Sequence, residues 1–239
     1  MSWPTKVADR VGRWYWVGDE RFPSVTSILS GGVPKPELVD WAASRVATYV
    51  VDHLYEVRDL VRSSTNASES LAHIPFRERD AAAALGSQVH RLVEERILTG
   101  PLAYVPPEAR PYIDSFVRWV SQRNPSFEAA EAVVVNRTIG YAGTLDALAL
   151  IDGRMTVIDW KTGSVWPDAA LQLTAYAHAE QMLLPDGGAV SMPSVEAAMV
   201  VALGPDGPRE VYVNPGPENW AVFLAAKEVW AWREKQARP

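Results

Sequence analysis

The Asp152-Gly153 dipeptide constrains the fold of this chain more than any other feature of its sequence. It separates two apolar runs, residues 143–151 and 155–161, which are rich in Val, Leu, Ile and Ala. Asp-Gly between two such runs is a strong short-range signal for a two-residue β-hairpin turn. The sequence therefore predicts two antiparallel strands joined by a tight turn.

The predicted turn also fixes which residues face each other across the hairpin. Counting outward from it pairs Leu148 with Val157 and then Asp146 with Asp159. Lys161 follows Asp159 by two residues and points to the same face, because strand side chains alternate. One face of the hairpin thus changes abruptly from apolar residues to two aspartates and a lysine.

This change of character points to a metal-dependent catalytic centre. Two carboxylates directly opposite on neighbouring strands have Cβ atoms about 5 Å apart and repel each other unless a cation lies between them. Oxygen ligands without cysteine suit Mg²⁺ or Mn²⁺. We predict catalytic roles for Asp146, Asp159 and Lys161, with the lysine charge beside a reacting phosphate. An Asp-x-Lys pair alone could equally be a surface ion pair, and the second aspartate is what favours a site.

The rest of the chain predicts helices around a central sheet. The interval 13–25 is typical of a short aromatic hairpin. Predicted helices cover residues 37–62, 77–99, 108–123, 167–184 and 217–236, and residues 63–70 are predicted to form a loop. Further strands are predicted at 130–136, 195–203 and 209–213. We expect an α/β fold with a mixed central β-sheet flanked by helices. A single domain over residues 1–239 is expected, with a mostly helical part at 1–76 and a core at 77–239.

Two predicted helices carry further polar candidates. His90 and Glu94 are one turn apart on the second helix, and Gln172 and Tyr176 have the same spacing on the helix after the hairpin. A helical histidine with a nearby carboxylate is more often structural than a ligand, and a lone Gln/Tyr pair is often an ordinary helix face. Both alternatives remain open on spacing alone.

Taken together, four motifs resemble the RecB-like branch of the PD-(D/E)xK nucleases. They occur in that family's order: Gly86…His90, Gly143-Thr-Leu-Asp146, Ile158-Asp159-Trp-Lys161 and Gln172-x-x-x-Tyr176. The segment Phe22–Leu29 also resembles openings of exonucleases in this branch, less specifically. The resemblance covers residues 86–176 and implies a restriction-endonuclease-like core.

The resemblance also implies roles for individual residues. His90, Asp146, Asp159 and the backbone carbonyl of Trp160 would hold Mg²⁺ or Mn²⁺, and Lys161 would position or activate the attacking water. Active-site support or DNA contacts are expected from Gln172, Tyr176, Glu94 and Glu131. Several members of the branch carry an iron–sulfur cluster on four cysteines; this chain has none, so no cluster is expected.

The implied activity is exonucleolytic hydrolysis of DNA from its ends, in repair or recombination. A sequence- or structure-specific endonuclease on the same core and a catalytically inactive DNA-binding module remain alternatives. The sequence lacks a Gly-x-x-x-x-Gly-Lys-Ser/Thr motif, so any helicase or recombination partner would be a separate chain. Arginines before the hairpin could line a groove that follows a DNA strand or form a solvated helix face: Arg58, Arg62, Arg77, Arg79, Arg91 and Arg96.

Composition adds limits on location. No apolar run reaches the ~18 residues of a membrane span, and the N-terminus does not have the pattern of a signal peptide. We expect a soluble, cytoplasmic protein with no membrane partner. The net charge of −6 argues mildly against a nucleic-acid partner, although a nuclease needs only a local basic groove.

Overall fold

The computed structural model describes residues 5–9, 12–184 and 188–237 and divides into two compact units. The first unit contains the chain up to Val33 and from Gln88 onward, and the second is Pro34–Ser87. The predicted division at residue 76 falls inside a helix rather than at either of these boundaries.

A three-stranded antiparallel sheet opens the first unit. Its strands are β1 (Thr5–Asp9), β2 (Gly12–Val17) and β3 (Glu20–Pro23), in that spatial order. The predicted hairpin at 13–25 is confirmed by the pairing of β2 with β3, although β3 ends at Pro23. The sequence interpretation missed helix α1 (Val25–Gly32), whose first turn is capped by the Ser24 hydroxyl accepting from the backbone N–H of Ser27.

The centre of the first unit is a mixed seven-stranded sheet. Its strands are β4 (Ser126–Asn136), β5 (Tyr141–Ile151), β6 (Arg154–Lys161), β7 (Gln181–Leu183), β8 (Ala189–Ser191), β9 (Ala197–Ala202) and β10 (Arg209–Val213). The spatial order is β10-β9-β6-β5-β4-β7-β8, and the β6–β9 pair is parallel while the others are antiparallel. The predicted mixed central sheet is therefore confirmed.

Helices pack against this sheet. Besides α1, the unit contains the part of α5 (Ile74–Thr99) from Gln88 onward, α6 (Arg110–Arg123), α7 (Asp168–Ala177) and α8 (Pro217–Ala237). A buried apolar core joins α1, α7 and α8 to residues such as Leu148, Val157 and Val200. The ring of Trp160 packs edge-on against Phe116 and Trp119 of α6, with centroids 5.3 and 5.2 Å away. The unit is thus an α/β structure with helices packed around its sheet.

The predicted helix at 167–184 is wrong beyond Ala177. The chain leaves α7 there, and Glu180 donates its backbone N–H to the carbonyl of Val135, which brings β7 alongside β4. Leu183 is buried in that strand. Burial of apolar residues against a sheet edge thus outweighs the helical preference of this segment.

The second unit is helical. It contains α2 (Glu37–Asp52), α3 (Leu54–Ser63), α4 (Ala67–Ala72) and the first part of α5 (Ile74–Thr99). The single helix predicted at 37–62 is interrupted at His53, whose ring nitrogen Nδ1 lies 3.1 Å from the carbonyl oxygen of Tyr49. The loop predicted at 63–70 contains the beginning of α4 instead of remaining irregular. Within the described ranges, no helix combines the length and apolar character needed to cross a membrane.

Candidate metal centre

The hairpin of β5 and β6 has the predicted turn and register. Asp152 and Gly153 have φ angles of 50° and 76°, the left-handed pair that a tight hairpin turn requires. Pairing runs from Ile151 opposite Arg154 to Ala147 opposite Ile158. The predicted register is therefore confirmed up to the position before the two aspartates.

The paired ladder ends just before Asp146 and Asp159. Here Asp146 Oδ2 accepts a hydrogen bond from the backbone N–H of Trp160 at 2.8 Å. The same carboxylate is nearly buried, and the Asp159 side chain is fully buried. The hairpin thus carries both carboxylates at the end of its regular pairing, and the backbone of β6 holds one of them.

Glu131 of β4 lies next to Asp146 on the other side. The β4–β5 register pairs Ala130 with Ala147 and Ala132 with Leu145, so the intervening Glu131 is opposite Asp146. Glu131 has a φ of 48°, a left-handed conformation that costs a residue with a Cβ on the order of 1–2 kcal/mol. We call Glu131, Asp146 and Asp159, on three adjacent strands, the carboxylate row.

His90 of α5 completes a group able to hold a metal ion. One ligand atom from each of His90, Glu131 and Asp146 can be chosen so that all three lie within 4.8 Å of one another. His90 Nδ1 is 3.5 Å from Asp146 Oδ1 and 3.8 Å from Glu131 Oε1, and Nε2 is 2.8 Å from the Trp160 carbonyl oxygen. The group therefore offers one imidazole and two carboxylates, and the Trp160 carbonyl contacts the other ring nitrogen of the same imidazole.

Asp159 is held by the two other polar residues of the motifs. Lys161 Nζ donates to Asp159 Oδ1 at 2.7 Å, and Gln172 Nε2 lies 3.1 Å from the same oxygen. Gln172 Nε2 is also 3.2 Å from the hydroxyl of Tyr176, one turn later on α7. Asp159 Oδ2 is buried 2.6 Å from Lys161 Nζ, but among the described residues no well-directed hydrogen bond reaches it.

Like charge and burial dominate the electrostatics of this group. Burial and then the charge of Asp146 raise the pKa of Asp159 to about 6, outweighing the opposing effect of the Lys161 ammonium. Burial lowers the pKa of His90, but its contacts with Asp146 and Glu131 outweigh this and raise the pKa to about 10. The neighbouring carboxylates therefore favour positive charge at this position, as they would favour a bound cation.

Two contacts beside the motif residues explain why position 143 is a glycine and show where Tyr15 lies. A Cβ added at Gly143 would lie 2.5 Å from Tyr176 Cε1, so only glycine leaves room for the tyrosine ring at this position. Tyr15 of β2 is buried, and its hydroxyl lies 2.9 Å from Thr144 Oγ1. Sequence reasoning missed Tyr15; its alternation with Trp14 and Trp16 indicated only a strand.

Glu94 and two of the predicted arginines lie away from the carboxylate row in sequence, and the two arginines pair with other carboxylates. Glu94 lies one turn after His90 on α5, half-buried, and is outside the group of His90, Glu131 and Asp146. In the helical unit, Arg58 and Arg79 each lie over an aromatic ring and beside the aspartate that follows them in sequence. The positive charges of these two arginines are therefore partly neutralised by the neighbouring aspartates.

Comparisons with known proteins add little to this geometry. No protein-family profile matches the chain, and no curated protein matches it. Similar solved structures include one titled "Crystal structure of SSO0001", at 17% identity and a TM-score of 0.38, covering 82% of this chain and 86% of that one. A TM-score this low shows neither a shared fold nor a shared site.

Proposed function

We propose that the protein is a divalent-metal-dependent deoxyribonuclease of the PD-(D/E)xK type, on a restriction-endonuclease-like core of the RecB-like branch. The observation that carries this proposal is the carboxylate row beside one imidazole and one partly buried ammonium. Three carboxylates on adjacent strands repel one another, and a fold keeps such an arrangement at a cost in stability. A bound cation would remove that cost.

The donor atoms fit a hard divalent ion. His90, Glu131, Asp146 and the carbonyl of Trp160 offer nitrogen and oxygen, and the sequence contains no cysteine. Oxygen-rich sets with one imidazole suit Mn²⁺ and Mg²⁺. Asp159 lies outside the group of His90, Glu131 and Asp146, and its buried Oδ2 is held beside the Lys161 ammonium. When bound, the ion would supply Lewis acidity beside the reacting phosphate.

Lys161 supplies the fixed positive charge of the site. Its ammonium is anchored by Asp159 and is only partly exposed, so little reorganisation is needed when charge develops on a phosphate. Burial alone would lower its pKa, but the charges of Asp159 and Asp146 outweigh this and raise it. We therefore assign Lys161 to transition-state stabilisation and to holding the attacking water.

Gln172 and Tyr176 act as positioning residues in this proposal. Gln172 bridges Asp159 and the Tyr176 hydroxyl, and Tyr176 packs on Gly143, which is three residues before Asp146. The helix thereby fixes the orientation of the carboxylate that holds Lys161. A loss of either side chain should alter turnover more than metal affinity.

DNA as the substrate and attack from its ends are the finer part of the proposal. They are supported by the four-motif resemblance, and a separate helicase or recombination protein is the corresponding partner. The test incubates the protein with end-labelled linear DNA and closed circular DNA, with Mg²⁺, Mn²⁺ or EDTA. We expect metal-dependent shortening of linear DNA and an intact circle.

Two outcomes would contradict parts of this proposal. Discrete fragments from the closed circle would replace end-processing with endonuclease activity. Absence of metal-dependent cleavage in every arm, with the protein folded, would remove the nuclease assignment. A Glu210→Gln variant, altered on β10 outside the carboxylate row, serves as the matched control for any variant of the row.

A further inference from the structure

A cavity of about 300 Å³ lies on the same face of the sheet as the carboxylate row. Its floor includes Val200 of β9 and Val211 of β10. The strand registers pair Asp159 with Val200 and Val200 with Val211, so the three side chains form one row across the sheet. Neighbouring strands are about 4.8 Å apart, which places the floor about 5–10 Å from Asp159.

The lining of the cavity is apolar with a polar rim. Val165, Ala169 and Ala170 come from the loop after β6 and the beginning of α7, and Asn214 and Asn219 add polar residues to the lining. The volume is at the lower end of the ~300–1,000 Å³ typical of small-molecule sites. An apolar floor with a few amides matches a planar ring that carries hydrogen-bonding groups on its edge.

Trp166 gives the cavity a partly exposed aromatic wall. It lies five residues after Lys161, and 40% of its surface remains exposed although it lines an otherwise apolar cavity. Its position is restrained because Pro167 follows it and its carbonyl accepts from the backbone N–H of Ala169 at 3.0 Å. A tryptophan side chain on a restrained backbone has few torsions to fix, so it stacks on a ring at a low entropic cost.

We infer that this cavity is a nucleobase subsite, which binds one base of the substrate strand two or three nucleotides from the reacting phosphate. The inference rests on the proposed nuclease function. The distance of 5–10 Å corresponds to about two or three steps at the ~3.4 Å rise of a stacked strand. Stacking on an aromatic side chain with few edge contacts favours any base, so the subsite positions the strand without reading its sequence.

The test measures binding of a fluorescein-labelled thymidine dodecamer, with Ca²⁺ in place of Mg²⁺ to limit hydrolysis. A single abasic residue is moved along the strand, and Kd is measured for each oligonucleotide. The proteins compared are wild type, Trp166→Ala, Trp166→Phe and Ala170→Phe, which fills the cavity. Trp232→Ala is the matched control, because Trp232 is 62% exposed on α8 and does not line the cavity.

We expect one abasic position to weaken binding to the wild type by on the order of tenfold. Trp166→Ala and Ala170→Phe should weaken binding of the intact strand by a similar factor and lose the response to that abasic position. Trp166→Phe should retain part of the affinity for the intact strand and part of the response to the abasic position. Trp232→Ala should behave as the wild type. Equal Kd values for every abasic position in the wild type, or an unchanged response in Trp166→Ala, would overturn the subsite.

The same experiment separates this inference from the proposed function. Abasic-sensitive binding that depends on Trp166, without hydrolysis in Mg²⁺ or Mn²⁺, would keep the subsite and remove the nuclease. Normal hydrolysis with no abasic response would remove the subsite alone.

Discussion

Two groups of charged side chains lie on opposite faces of the same sheet and are built in opposite ways. Arg123 of α6 donates through Nε to Glu210 of β10 at 2.7 Å, and Trp119 Nε1 donates to the same oxygen at 2.7 Å. Tyr212 adds a third donor at 2.9 Å. The carboxylate row instead places like charges side by side.

The acidity of the two groups differs accordingly. The hydrogen bond from Arg123 is the main reason that the pKa of Glu210 falls to about 2, whereas burial and Asp146 raise that of Asp159 to about 6. The Arg123–Glu210 pair therefore stabilises the folded charged form, and the row destabilises it. We interpret an arrangement that costs stability as a candidate binding site.

The largest expected effect separates the two groups by activity. Asp146→Asn and Asp159→Asn should each reduce metal-dependent hydrolysis of linear DNA by on the order of a thousandfold, because several kcal/mol of transition-state stabilisation is lost. Initial rates at saturating Mn²⁺ measure this, with Glu210→Gln as the control that retains activity. Near wild-type rates in either aspartate variant would show that the row is not the catalytic centre.

Lys161→Ala should lower kcat by on the order of a hundredfold while DNA and metal binding change little, because its charge acts on the transition state. Single-turnover rates and Kd values measured on the same preparation separate these effects. Weaker DNA binding with unchanged turnover would make Lys161 a phosphate contact instead.

His90→Ala should raise the Mn²⁺ concentration needed for half-maximal activity by at least about tenfold. The requirement for Mg²⁺ should change less, because imidazole favours Mn²⁺ over Mg²⁺. Two metal titrations on one variant decide this. Superimposable wild-type and variant titrations would return His90 to a structural role.

The smallest effect on hydrolysis belongs to Glu210→Gln, which should act on stability instead. The folded pKa of Glu210 is lower than its ordinary value of 4.5, so the wild-type pair stabilises the fold above about pH 4.5. That contribution, about 2 kcal/mol, is lost as the pH falls toward 2. Urea unfolding from pH 7 to pH 3 should show a steeper acid decline for wild type; equal slopes would contradict the assigned role of the pair.

The comparison also shows which parts of the site the sequence could predict. The turn at Asp152-Gly153 is local chemistry, so the register that brings Asp146 and Asp159 together follows from counting residues. Glu131 was only a loose candidate, because its position depends on the pairing of β4 and on a left-handed backbone angle. The local sequence predicts neither of these. The Arg123–Glu210 pair joins residues 87 positions apart and was invisible for the same reason.

The elements of the fold differ in the same way: those determined by local sequence were predicted, and those determined by a distant partner were not. Helices α6 and α8 were predicted nearly to their ends, since both have clear periodicity and breakers such as Asn124-Pro125. Strand β7 was taken for helix because its place is set by the edge of β4, a partner more than forty residues earlier. The ladder of the hairpin was predictable, whereas the order of strands around it was not.

Isothermal titration of Mn²⁺ tests most directly whether the carboxylate row is a cation site. Wild type, Asp146→Asn and Glu210→Gln are compared at pH 7 without DNA, so the result does not depend on the substrate. We expect saturable binding in wild type and in Glu210→Gln, with loss of that binding in Asp146→Asn. Equal Mn²⁺ binding by Asp146→Asn and wild type, or no binding by the folded wild type, would contradict the account.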